Sequence, residues 1–320
     1  MEINAGITIG LQGFFRLFTT RDGIVTQDTG FFPNLITDQG LDWFGTVPPN
    51  FNVSNSQQLL GTHCGVGVGN TTPAFTDTQL TSFTAMFPTT SGSNVEGYTS
   101  STYVAGPPSY WSVTKTYTFA TGAVVANIAE VGVGNTASAD TQPKLFSHAL
   151  ILDGGGNPTT LPVTGADALT VVYEFRQYLD TTDNTYSMSI GATNYTGTYR
   201  RANINTPVSF LLQNIGYDIN NTNWARLNAF SGTIGPITGQ PAGTNLGLDT
   251  GRSKVAYISG TYFWSFSNTF NTATANGTIA SFLTTNTVTG NYQFSISPSL
   301  VKTSSFTLTI NWNVSWIRFP

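Results

Sequence analysis

Charge is what this sequence has least of. Only 9% of its residues are Asp, Glu, Lys or Arg, against about a quarter in an ordinary soluble domain. The formal net charge is −4 and there are four lysines. No basic face exists to follow a phosphate backbone, so nucleic acid is not an expected partner. Cys64 is the only cysteine, which excludes an intrachain disulfide and fits folding in a reducing compartment. No apolar run reaches the roughly 18 residues of a membrane-spanning helix, so no membrane association is expected. Glu2 stands where a secretory signal would carry Lys or Arg, so the sequence predicts an uncleaved, soluble chain. A surface this poor in charge does little to oppose association and suits a protein covered by neighbours.

Thr, Ser, Asn, Gly and aromatic residues fill the space left by charge. β-branched and aromatic side chains suit a pleated sheet, while Asn, Gly and Pro punctuate it. Residues 5–27 alternate around an Arg21-Asp22-Gly23 hairpin turn. One short helix is predicted near 38–45, capped by Thr37 or Asp38 and ended by Val47-Pro48-Pro49. In Gly65-Val66-Gly67-Val68-Gly69, glycine at alternate positions strips one sheet face of side chains. Something must pack closely there, and the helix or Trp43 is the expected neighbour. Similar words return at Val131 to Thr136. A strand is expected at Val208 to Gln213, and a loop or linker at 232–252. The clearest alternation in the chain runs from Phe306 to Trp316.

Trp111 to Tyr178 has a shorter relative at Tyr262 to Trp316. Each opens on an aromatic alternating run and passes through Ala126-Asn127-Ile128 or Ala275 to Ile279. Each then meets a Phe-Ser pair, Phe146-Ser147 or Phe294-Ser295, and closes on a long strand from Leu169 or Leu308. The loop Gly154 to Pro158 accounts for the excess length of the first copy. The prediction is an all-β protein of two β-sandwich-like units, with a possible internal duplication. Its divisions are 1–180, a strand- and loop-rich connection at 181–255, and a C-terminal unit at 256–320 related to 111–178.

Candidate chemistry is sparse. His63 and Cys64 are adjacent on a strand and point to opposite faces, so they cannot pair locally. Without nearby acids, His63 and His148 make a poor metal site, and structural roles are expected for both. Gly65 to Asn70 mimics a dinucleotide fingerprint but lacks the helix and the βαβ context. Asp180 and Asp183 lie in a Thr/Asn-rich turn, where a solvated loop outweighs two-carboxylate glycosidase chemistry. Asp153 to Asn157 reads as a turn and lacks the acids of a Ca²⁺ loop. The sequence therefore predicts no catalytic, cofactor-binding or metal-binding residue. Tyr98, Tyr103, Tyr110, Trp111, Tyr195, Tyr199 and Trp224 sit among polar residues. They suit protein interfaces better than sugar stacking, because no acid cluster accompanies them.

Three groups of fragments carry a family likeness. They are Gly30 to Asp42 with Val66 to Pro73 and Asp77-Thr78-Gln79-Leu80; Ile128 to Val133 with Leu145 to Leu150; and Phe294 to Pro298 with Lys302-Thr303 and Ser315 to Arg318. In that order they resemble structural proteins of tailed bacteriophages, the tail, collar and neck appendage group. The resemblance touches 30–178 and 262–318. It implies a non-enzymatic virion part, assembled in the host cytoplasm, whose partners are copies of itself and other virion proteins. A capsid decoration protein, or a receptor- or glycan-binding module of a tail fibre meeting a host-surface glycan, is the alternative.

Overall fold

The computed structural model describes residues 2–45, 61–87, 102–135, 141–190, 192–205, 225–286 and 290–320. The Val47-Pro48-Pro49 stop, the Val208 to Gln213 strand, Tyr98 and Trp224 lie outside the described residues.

Strand β1 (Glu2–Arg21) turns through Asp22 and Gly23, at φ of 50° and 78°, into β2 (Ile24–Asp28). Both values are positive, as a two-residue hairpin turn requires and as Asp-Gly allows. β3 (Phe32–Pro33) also pairs with β1, and β4 (Leu35–Ile36) leads into helix α1 (Asp38–Gly45). Thr37 is the cap: its Oγ1 accepts the Gly40 N–H at 2.9 Å, three residues on. The first half continues through β5 (His63–Gly67), β6 (Phe83–Phe87), β7 (Thr102–Val104) and β8 (Ser109–Phe119). Then come β9 (Ala126–Ile128), β10 (Glu130–Asn135), β11 (Lys144–Leu150), β12 (Leu161–Val163) and β13 (Ala168–Leu179).

The second half holds β14 (Asn184–Ile190), β15 (Thr193–Ala202), β16 (Ala225–Phe230), β17 (Asn245–Leu248) and β18 (Gly251–Lys254). It ends with β19 (Phe263–Phe270), β20 (Gly277–Asn286), β21 (Asn291–Lys302) and β22 (Leu308–Arg318). Phe306, expected to open the last strand, lies just outside it and is exposed. Among the described residues no helix is long and apolar enough to cross a membrane.

One strand path occurs twice. In the first half, β5 and β6 pair in a five-stranded sheet and β7 and β8 pair in a large nine-stranded one. β10 and β11 return to the smaller sheet between β5 and β4, and β13 returns to the large sheet between β8 and β1. In the second half, β16–β17, β18–β19, β20–β21 and β22 take the same places, with β15 where β4 stood. The two Phe-Ser pairs therefore fall on equivalent strands, β11 and β21. The Gly154 loop and the small β9–β12 pair are additions to the first copy.

The recurrence reaches further back than the repeat legible in the sequence. The stretch 181–255 is not a connection: it supplies β14 to β17 of the six-stranded sheet and β18 of the large one. The boundary at 255/256 falls between β18 and its partner β19, which share one ladder.

β1 is the seam. β13 runs antiparallel along its second half and β22 runs parallel along its first. Outward from β1 the order is β13-β8-β7 on one side and β22-β19-β18 on the other. This is the order that a two-fold axis normal to the sheet would produce. Ile7, Ile9, Leu11, Phe15 and Leu17 of β1 point into one core shared with both smaller sheets.

α1 is held against the smaller sheet of the first half and by the C-terminal strands. A Cβ on Gly40 would lie 2.1 Å from the Phe146 carbonyl oxygen, so only glycine permits this approach. Trp264 and Trp316 donate their indole N–H groups to Gly45 and Leu41 carbonyls at 3.1 and 2.9 Å. The bare faces of the Gly-Val strands are filled by other groups than the expected helix or Trp43. A Cβ on Gly65 would meet Pro143 and Leu80, one on Gly132 would meet Leu145 and Leu80, and those on Gly67 and Gly69 would meet Glu130. Leu80, Pro143, Leu145, the Glu130 carboxylate and the Ser82 backbone carbonyl occupy the space.

Candidate assembly surface

The outer face of the large sheet carries no layer among the described elements. Its side chains are the alternate residues of the strands whose other face forms the core. On β8 the inward set includes Trp111, Val113, Tyr117 and Phe119, and the outward set begins with Tyr110. Trp111 is 2% exposed, so its expectation as an interface aromatic is corrected: the alternation of the strand turns it inward. Tyr195 and Tyr199, each 9% exposed, are corrected for the same reason. Their polar neighbours are the outward residues of β15, not loop residues. Tyr103 is half-buried against the edge of the core, and Tyr110 is half-exposed on the open face.

Around Tyr110 the outer face carries large groups. The Arg176 guanidinium lies 4.1 Å from the Phe14 ring centre and 4.6 Å from that of Tyr110, and Arg176 Nε donates to Glu174 at 2.7 Å. Tyr110 packs on Tyr178 at 5.5 Å, and Tyr178 stacks on Phe319 at 3.6 Å. Farther along β1, Arg16 covers Phe18 at 5.4 Å and donates to Asp28 at 2.9 Å. Aromatic and arginine side chains of this kind dominate binding energy at protein interfaces. Their charges are paired within the chain, so this half of the face is close to neutral. Across β1 the other half is uncharged and, apart from the exposed Phe263 and Ile317 at one end, small. β22 presents Thr309, Asn311, Asn313 and Ser315, and β19 presents Ser265 and Ser267 beside them. Hydroxyl pairs Thr269–Thr309 at 2.9 Å and Thr8–Ser315 at 2.8 Å tie the strands together.

A second constellation is buried. Glu130 is fully buried on β10, and its two oxygens accept four hydrogen bonds. The donors are Ser82 N at 2.6 Å, Thr81 N at 3.0 Å, Gly69 N at 3.2 Å and His148 Nε2 at 3.0 Å. His148 Nδ1 lies 2.8 Å from Asp77 Oδ2. The sequence places no acids near His148, and the fold corrects this with two. Glu130 inside an otherwise apolar strand was the available signal. Burial alone would raise the Glu130 pKa, but the hydrogen bonds from His148, Ser82 and Thr81 outweigh it and hold the carboxyl below its ordinary value. Burial likewise pushes His148 down, and the bonds and charges of Glu130 and Asp77 overcome it, raising the imidazole. The result is a buried ion pair clamping the loop between β5 and β6. Both imidazole nitrogens are engaged, so neither offers a lone pair to a metal or a substrate. Among the described residues no group of three or more such side chains is arranged to hold a metal ion.

The remaining candidates are local. His63 is buried, with Nδ1 at 2.7 Å from Thr62 Oγ1. Burial raises the Cys64 thiol far above its ordinary range, so it is not a nucleophile at neutral pH. Lys115 points inward on β8, where burial pulls its pKa well down, and Nζ donates to the Gly61 carbonyl. Asp180 accepts from Thr182 N at 2.9 Å and Asn184 Nδ2 at 2.7 Å, closing a turn, while Asp183 pairs with Arg200. Burial opposes but does not overcome those bonds, and the Asp180 carboxyl stays below its ordinary value, which suits a fixed anion and not a general acid. Asp153 accepts the Gly155 and Asn157 N–H groups and folds its own loop.

One open cleft of about 560 Å³ lies where the β15–β21 ladder parts, lined by Thr185, Ser187, Thr196, Thr198, Ser295 and Ser297. There the Tyr186 hydroxyl donates to the Ser295 carbonyl at 2.5 Å, and Ser295 Oγ accepts the Thr198 N–H at 2.8 Å.

The chain is thus an all-β protein of two sandwich-like units sharing one large sheet. Compared with known proteins, it matches no family model, no curated protein and no solved structure at a significant level.

Proposed function

We propose that the protein is a non-enzymatic structural component of a bacteriophage virion, from the tail, collar or neck. It assembles with copies of itself and with other virion proteins. The observation that carries this reading is the outer face of the large sheet: broad, uncovered, internally charge-paired, and aromatic and arginine-rich on one side. The order of the tailed-phage-like fragments and the low charge of the chain support it. The titratable cluster with the most distinctive chemistry is spent on holding a loop, which favours a scaffold over an enzyme.

Antibody-labelled electron microscopy of purified particles tests the reading. Label at a fixed position on the tail, collar or neck is the expected result, and label on the capsid shell would favour decoration instead. Protein found only free in the lysate would sink it.

A glycan-binding module of a tail fibre is the second reading, favoured by the hydroxyl-lined cleft. On that reading the isolated protein retains a neutral glycan on an array, and Thr196→Val with Ser297→Ala abolishes retention. An array without signal removes it.

A further inference from the structure

We propose that the outer face of the nine-stranded sheet docks on the same face of a second copy of this chain. The bulky half of each copy seats on the small-residue half of the other. The proposal rests on the assembly reading above and names the surface and the partner that it left open.

Shape carries it first. On the β13–β8 side Phe14, Tyr110 and Arg176 stand up as a ridge, cross-braced by ring and guanidinium contacts and by the buried Tyr178, which stacks on Phe319. On the β22–β19 side the outward residues from Ser265 to Thr269 and from Thr309 to Ser315 are Ser, Thr and Asn, bounded at one end by the exposed Phe263 and Ile317, and at Gly6 of β1 a Cβ would meet nothing within 4 Å. That side is a trough. The two halves lie diagonally across β1, because β13 follows its second half and β22 its first. A two-fold axis lying between two such faces and exchanging the halves puts each ridge into the other's trough. One kind of contact is then made twice, the self-complementarity that a two-fold dimer demands. Stacking ridge on ridge would leave both troughs empty.

Charge and area agree. Arg176 is paired with Glu174 and Arg16 with Asp28, and the trough strands carry no outward charge, so two copies meet without like-charge repulsion. At about 3.3 Å per residue and about 4.8 Å per strand, the strands β19, β22, β1, β13 and β8 offer about 1,000 Å² of face. A stable interface of ordinary size needs about 800 Å² from each partner.

Light scattering on the full chain after size exclusion tests the contact. The expected mass is twice the 34.2 kDa of one chain. Asn313→Arg plants a long cation in the trough at an outward position and should weaken dimerisation by at least about tenfold. Its circular dichroism should not change. Ser267→Arg, on the neighbouring strand, repeats the test should Asn313→Arg fail to fold. A wild-type chain that stays monomeric at micromolar concentration overturns the proposal, as does a dimer that both variants leave intact. A monomeric chain that still co-purifies with virions overturns this contact alone and leaves the assembly reading standing.

Discussion

Glu130→Ala should lower the unfolding free energy by about 3–5 kcal/mol, the usual loss when one partner of a buried ion pair is removed. The cost follows from what the carboxylate holds. Three backbone N–H groups at Gly69, Thr81 and Ser82 lose their acceptor, and a buried imidazole loses its counter-charge. Urea or thermal unfolding near pH 6 measures it, and a variant with the wild-type midpoint would falsify the clamp.

The pH dependence has a definite sign. Glu130 has a lowered folded pKa, so its contribution is complete above its ordinary value of 4.5 and is lost as pH falls through the folded value. His148 has a raised folded pKa, so its contribution is complete below its ordinary 6.5 and is lost as pH rises through the folded value. Both are complete between those two values. Stability should be greatest there and decline on either flank. Glu130→Gln should remove the acid flank and weaken the alkaline one, because His148 then keeps only Asp77 as its counter-charge.

Trp316→Ala should cost a further about 3–5 kcal/mol, the range for removing a large aromatic side chain from a core. Trp316 is fully buried, packs against Trp264 at 4.9 Å and Tyr257 at 5.7 Å, and donates to the Leu41 carbonyl of α1. The truncation empties the space beneath Gly45, where an added Cβ would lie 2.8 Å from the Trp316 ring. It also loosens the helix from the end of β22. Trp316→Phe should recover most of the loss and leave about 1 kcal/mol, the net worth of the missing hydrogen bond. Denaturation midpoints give the energies, and near-ultraviolet dichroism reports the packing of Trp264. Equal midpoints for Trp316→Ala and wild type would show that β22 does not anchor α1.

The sequence makes the strands legible wherever one face is apolar. The Asp22-Gly23 turn, the helix behind Thr37 and the closing strand from Leu308 are all visible as alternation, a cap or a turn pair. Pairing is not visible, because a period of two says which face is buried and nothing about the neighbour. The parallel contact of β1 with β22 is of that kind. Three of the expected interface aromatics are buried for a related reason. At Trp111, Tyr195 and Tyr199 the polar residues on either side are the outward half of a strand, and they disguise an inward ring as an exposed one. The acid–histidine clamp is hidden by separation, since Glu130 and His148 meet only after β10 and β11 pair, and Asp77 reaches His148 from the loop between β5 and β6.

The seam at β1 also sets an order of events during synthesis. Thr8 and Ser315 share a hydrogen bond across 307 positions of chain. At about 5–20 residues per second, one edge of β1 is made roughly 15–60 s before the strand that covers it. β13 is available far earlier, so the first unit can close on β1 while the other edge stays bare. An uncovered strand edge is a template for a neighbouring chain. The nascent protein must therefore keep that edge unpaired until β22 emerges, and any stop before residue 308 leaves it open permanently.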